Sequence, residues 1–224
     1  MSKKYLTVLL VILGVLIKLN NTQKIITENG SGSFEGNNYS LWKDSGTIKM
    51  TFLGVGNFVC EWNNNNNAFF RIGKVLDCTK TFEFLGPISV FYNVDYKPNG
   101  NSYLGVYGRT KDPLSEFYIV ENWGSTRPSG STLIGNINVN GDTYDIFYTT
   151  KNKDPSTDGI SSYLQIWSVS KHKKNSGSIS INEHVKAWAN KGIKLGYFCE
   201  VHLSIEGTQS SGKAIFSNFR ITSG

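Results

Sequence analysis

Alternation of apolar and polar positions, repeated along most of the chain, is the dominant feature of the sequence. Across 103–109, Tyr103, Gly105, Tyr107 and Arg109 share one face and Leu104 and Val106 the other. Across 116–120, Glu116, Tyr118 and Val120 oppose Phe117 and Ile119. A period of two with aromatic enrichment, broken by Thr110-Lys111-Asp112 and Pro113, predicts two paired strands. The same pattern predicts strands at 47–52 and 57–62 around Gly54-Val55-Gly56, and at 75–84, 89–96, 132–139, 143–150, 162–169 and 216–221. At 201–205, Val201, Leu203 and Ile205 point one way, and Glu200, His202, Ser204 and Glu206 the other. Three polar stretches read as turns: a hairpin at 63–67, made of five asparagines, and turns at 97–102 and 207–212. One helix is predicted over 182–191, with a stripe of Val185, Trp188 and Ala189, Asn182 as N-cap and Gly192 just past its end.

Composition supports this pattern. Aromatics make up 13% of the chain, charged residues 18%, and there are 23 glycines, which favours an all-β domain with many turns over a helical one. A length of 224 residues suits one domain with a single core. The formal charge of +6 falls to +3 (20 basic against 17 acidic residues) once Lys3, Lys4 and Lys18 are set aside. The remaining basic residues are scattered apart from Lys171-His172-Lys173-Lys174, a pattern of a solvated loop and not of a nucleic-acid partner. Cys60, Cys78 and Cys199 lack C-x-x-C spacing, so no metal site or cofactor is expected. One pair of them can close as a disulfide, or all three can be buried thiols. Residues 1–21 combine a basic start with an apolar run of thirteen residues, too short for an ordinary span of ~20. They read as a secretory signal peptide, with an uncleaved anchor as the alternative, and sequons at Asn20, Asn29 and Asn38 fit secretion. Residues 22–37 read as a polar linker or a loosely held first strand, and 38–224 as the domain proper.

Candidate chemistry sits on two strands far apart in sequence. Glu116 and Glu206 each stand mid-strand on a polar face, an arrangement that is costly unless the carboxylate is hydrogen-bonded or used. Two carboxylates opposed across a groove are the minimum equipment for glycoside hydrolysis. Glu121 lies on the face opposite Glu116, and Glu200 lies ~20 Å from Glu206 along an extended strand, so both read as structural.

The segments 103–108, 113–124 and 205–212 closely resemble those of family 11 glycoside hydrolases, and the similarity extends from Asn38 to Ile221. The resemblance implies a β-jelly-roll sandwich of two curved antiparallel sheets with a single amphipathic helix. It also implies a monomeric, secreted endo-1,4-β-xylanase whose partner is xylan, with no membrane association after signal removal. On this resemblance Glu116 is the nucleophile and Glu206 the general acid/base, with Asn67 beside Glu206. Trp42, Tyr103 and Trp167 become sugar-stacking surfaces, Gln165 a ligand for hydroxyls, and Pro155 part of a thumb hairpin at 151–159 that closes over the cleft. Tyr107 and Tyr118, on the face of Glu116, can donate hydrogen bonds that keep it anionic. The sequence departs from the family pattern at Arg109, Phe117, Lys151, Thr157 and Thr208, all of which alter cleft walls more than the carboxylate pair. A lectin-like β-sandwich that binds polysaccharide without cutting it, and a β-glucanase on the same architecture, remain as alternatives.

Overall fold

The alternating segments become strands, and in the computed structural model, which describes residues 23–152 and 162–223, several run much longer than their apolar cores. In chain order they are β1 (Lys24–Ile26), β2 (Gly30–Phe34), β3 (Asn37–Lys43), β4 (Thr47–Gly54), β5 (Asn57–Val75), a helical turn α1 (Phe82–Leu85), β6 (Ile88–Lys111) and β7 (Ser115–Trp123). There follow β8 (Thr132–Val139), β9 (Asp142–Asn152), β10 (Ser162–Ser170), β11 (Ser176–Ser180), helix α2 (Ile181–Ala189) and β12 (Tyr197–Ser223). The segment expected as a linker or loose strand therefore supplies β1 and β2.

Three long strands, β5, β12 and β6, lie side by side and change their outer partners along their length. β5 pairs with β4 through 57–63 and with β3 through 68–73. β6 pairs with β11 through 89–93 and with β7 through 103–110. β12 runs between β5 and β6 along both halves. One hydrogen-bonded network thus folds over into two layers, the jelly-roll sandwich. The fold-over is marked by left-handed residues in all three strands: Asn64 at φ 53°, Gly100 at φ 96° and Gln209 at φ 48°. Ser210 pairs with both Asn65 and Gly100, so these residues form a single crease across the strands. Registered pairs are antiparallel except β7 with β10, which is parallel, a departure from the antiparallel expectation.

The crease corrects three of the expected turns. Stretches 63–67, 97–102 and 207–212 have turn composition because the bend needs Asn, Gly and Ser, yet the strands continue through them. The strand expected at 75–84 is absent. β5 stops at Val75, Cys78 takes φ 56° and is disulfide-bonded to Cys199, and α1 follows. Cys60 is a buried free thiol whose pKa is pushed well up by burial.

The main core lies between the layers, where Tyr39 and Phe34 from one meet Phe52 from the other at ring distances of 5.2 and 4.5 Å. α2 covers the core face of the layer that holds β3, β7 and β10, packing Trp188 on Phe117 at 5.5 Å and donating from its indole to Ser168 Oγ at 2.9 Å. Its buried stripe is Ile181, His184, Val185 and Trp188, while Ala189, expected in the stripe, is exposed. Ser180 occupies the N-cap position, and Asn182 instead ties the helix to the chain before β6, accepting from Ile88 N at 2.7 Å and donating to Gly86 O at 3.2 Å. Glu121, on this core face, is 1% exposed and is held by Tyr144, Tyr92 and Lys174. A second cluster, with Tyr107, Tyr118, Val120, Trp123 and Val169 at its centre, lies on the opposite, open face of that layer.

Candidate active site

Strand register puts the polar residues of the open face into rows that cross the sheet. Gln165, Glu116, Arg109 and Glu200 form one row from β10 through β7 and β6 to β12. Trp167, Tyr118, Tyr107 and His202 form the next. Tyr103, Glu206, Phe69 and Trp42 form another, through β6, β12, β5 and β3. The tyrosines between the two candidate glutamates are packed edge to face, with Tyr107–Tyr118 at 5.3 Å and Tyr103–Tyr118 at 6.0 Å.

Each glutamate is held at both oxygens. Tyr107 OH donates to Glu116 Oε1 at 3.0 Å, and Gln165 Nε2 to Oε2 at 2.6 Å. Arg71 Nη2 donates to Glu206 Oε1 at 3.0 Å, and Tyr103 OH to Oε2 at 2.6 Å. Glu116 thus has neutral donors and Glu206 has a cation. Burial, then the charges of Glu206 and Glu116 together, push the Tyr118 hydroxyl well above the ordinary tyrosine range, so one phenol senses both carboxylates. Burial and the Glu116 charge lift Tyr163 in the same way. At the far end of the face, Arg109 Nε donates to Glu200 Oε1 at 3.0 Å, and His202, pushed down to about 4 by burial and by Arg71, sits 3.4 Å from Glu200 Oε2.

Several expected site residues make contacts within the protein. Gln165 and Tyr103 are bound to the carboxylates, whereas the sequence reading assigned them to sugar. The hydroxyl of Tyr118 donates to no acceptor among the described residues; its ring stacks on Trp167 at 4.0 Å and 8°. Asn67 shares the face of Glu206 but turns away from it, donating to Asp44 Oδ2 at 2.8 Å. Two hydrogen bonds from Asn67 draw the Asp44 pKa down. Trp42 is 40% exposed and stacked on Phe69 at 5.9 Å. Pro155 and the rest of the thumb at 153–159 lie outside the described residues. No group of three or more His, Cys, Asp or Glu side chains among the described residues is arranged to hold a metal.

Arg71 is the site residue that sequence reasoning missed. The period-two phase of Asn67, Phe69 and Arg71 already placed it on the face of the candidate glutamate's expected neighbour.

Comparison with known proteins agrees with this geometry. Residues 34–217 match the description of Glycosyl hydrolases family 11. Endo-1,4-beta-xylanase A of Bacillus pumilus is 45% identical over 191 residues, covering 85% of this chain and 83% of the relative. Endo-1,4-beta-xylanase A of Thermoclostridium stercorarium is 47% identical over 208 residues, 91% of this chain. The match spans about a third (32%) of that longer relative. The family 11 xylanase structure from Neocallimastix patriciarum superposes with a TM-score of 0.80 at 28% identity, covering 90% of this chain and all (100%) of the other. With a match over most of its length, two carboxylates on one face and the sandwich beneath them, the chain belongs to glycosyl hydrolases family 11.

Proposed function

We propose that the protein is a secreted endo-1,4-β-xylanase that cleaves internal bonds of xylan by retaining double displacement. The observation that carries this reading is the unequal support of two glutamates on one face, neutral donors on Glu116 and a cation with a phenol on Glu206. A glycosidase needs two carboxyl groups with different tasks, and unequal surroundings are how one residue type performs both. Relatives named as xylanases supply the substrate class.

In the first half-reaction a Glu116 oxygen attacks the anomeric carbon while Glu206 passes its proton to the departing glycosidic oxygen. The bond to the leaving sugar breaks and a glycosyl ester forms on Glu116. Glu206, now a carboxylate, then takes a proton from water as that water attacks the same carbon and releases Glu116. Trp42 and Trp167 offer flat apolar faces to the polymer. The apolar run near the start of the sequence is the basis for assigning secretion, and no helix among the described residues is long and apolar enough to cross a membrane.

Reducing-sugar release from xylan and from cellulose, with NMR of the first-formed anomer, tests the reading. The expected result is release from xylan with a β-anomer first. Release from cellulose alone would make the protein a β-glucanase, binding without release a lectin, and an initial α-anomer would exclude double displacement.

A further inference from the structure

Arg71 takes no part in the bond-making steps, yet it is clamped between two aromatic rings and against Glu206. Its guanidinium carbon lies 3.5 Å from the ring centre of Tyr107 and 4.3 Å from that of Phe69. Its side chain is 16% exposed and that of Glu206 20%, so the ion pair is largely shielded from water. Nε has no hydrogen-bond partner among the described residues, which leaves stacking and the Nη2–Glu206 contact to hold the group. Burial opposes the guanidinium's charge, but the carboxylate of Glu206 outweighs it and raises its pKa. Arg71 is therefore a permanent cation at Glu206 Oε1.

A fixed cation in contact with a carboxylate favours its ionised form. Glu206 needs the ionised form in only one half of the cycle. In the first half-reaction it must carry a proton; in the second it must be a carboxylate able to accept one from water. We propose that Arg71 is a positioning residue for the second half-reaction: it holds Glu206 as an oriented carboxylate while the glycosyl ester on Glu116 is hydrolysed. This rests on Glu206 being the acid/base of the preceding section. When the glycosidic bond breaks, the Glu206 proton leaves with the departing oxygen and Nη2–H donates to the oxygen left charged. When water attacks, its proton goes to Glu206, the bond between C1 and Glu116 breaks, and the Arg71 contact weakens as the carboxyl becomes neutral.

Other titratable groups share the open face with this carboxyl: Tyr103, Tyr107 and Arg109 from β6, Glu116 and Tyr118 from β7, Tyr163 beside Glu116, and Glu200 and His202 from β12 itself, with Asp44 held beyond Asn67. Arg109 is engaged by Glu200, and among the described residues Arg71 is the cation in contact with Glu206.

The test uses Arg71→Met, which keeps length and apolar contact without charge, and Arg71→Gln as a second neutral variant. With 2,4-dinitrophenyl β-xylobioside the leaving group needs no acid, so ester hydrolysis limits turnover. Loss of a charge-assisted hydrogen bond predicts that turnover falls ~10-fold with a dinitrophenolate burst. The basic limb of kcat/KM on xylo-oligosaccharides should move to higher pH, and Arg71→Lys should restore much of both. In the wild-type protein, the Arg71 side-chain 15N signal should titrate together with that basic limb. An unmoved limb without a burst in either neutral variant overturns the proposal, as does an Arg71 signal insensitive to pH. Glu206→Gln is the separate control. If its dinitrophenolate burst, which needs no acid, were lost as completely as its activity on xylan, the acid/base assignment would fail whatever Arg71 does.

Discussion

Glu116 and Glu206 are the same residue type made different by their neighbours, and the difference can be measured one side chain at a time. Glu116→Gln and Glu206→Gln should each lower turnover on xylan by ~10³ or more without unfolding the protein, since covalent and acid catalysis are lost in turn. Steady-state rates with circular dichroism check this, and activity above about a tenth of wild type would remove that glutamate from the mechanism. Tyr107→Phe deletes one donor to Glu116 but keeps the ring under Arg71, so kcat should fall ~10–100-fold with KM little changed, the value of one hydrogen bond to a charged group. A KM effect alone would make Tyr107 a binding residue. Both glutamates were legible because a carboxylate in a strongly alternating strand stands out. Their partners were not. Alternation tells which face a side chain occupies but not which of several neighbours on that face it reaches, and so Asn67 was read in the place that Arg71 fills.

At the level of elements, the crease through β5, β6 and β12 decides how the rows of the open face meet. Gly100 carries it through β6 with φ 96°, and a Cβ there would come within 2.6 Å of Gln209 O on the central strand β12. Gly100→Ala should therefore cost ~1–3 kcal/mol, read as a lower midpoint in thermal or denaturant unfolding. No change would mean that the crease relaxes freely. Most strands and the helix were readable from periodicity. The crease was not, because Asn, Gly and Ser supply left-handed backbone equally well to a turn that ends a strand and to a bulge that bends one. The helix start was misread for a similar reason: Asn182 has an N-cap side chain, but its amide is committed to Gly86 and Ile88 in another segment.

For the molecule as a whole, pH acts on stability through buried histidines. His184 is fully buried (0% exposed), both its ring nitrogens lack partners among the described residues, and burial pushes its pKa from 6.5 down to about 3. A folded pKa below the unfolded one means that its contribution is complete above pH ~6.5 and is lost as pH falls toward the folded value, by up to about 5 kcal/mol. His202, at about 4, adds in the same direction. Glu121, which burial lifts in spite of Lys174, works oppositely, its contribution being lost as pH rises. Denaturant midpoints measured from pH 7 to pH 4 should fall, and His184→Leu should flatten the slope; parallel slopes would acquit His184. The disulfide between Cys78 and Cys199 spans 121 residues, so reduction should cost ~3–5 kcal/mol by the chain-entropy account, visible as a lower midpoint in dithiothreitol. β12 has a consequence for the order of assembly. It follows every other strand in sequence yet lies between β5 and β6 in both layers, so neither layer has a middle until residues 197–223 are made. Until then β5 and β6 each present an unpaired edge, the situation that favours slow, non-local folding and strand addition by foreign chains. A chain ending at Gly196 would be a receptor with one strand missing, and a peptide of 197–223 its natural complement, able to restore both layers and Glu206 in a single binding event.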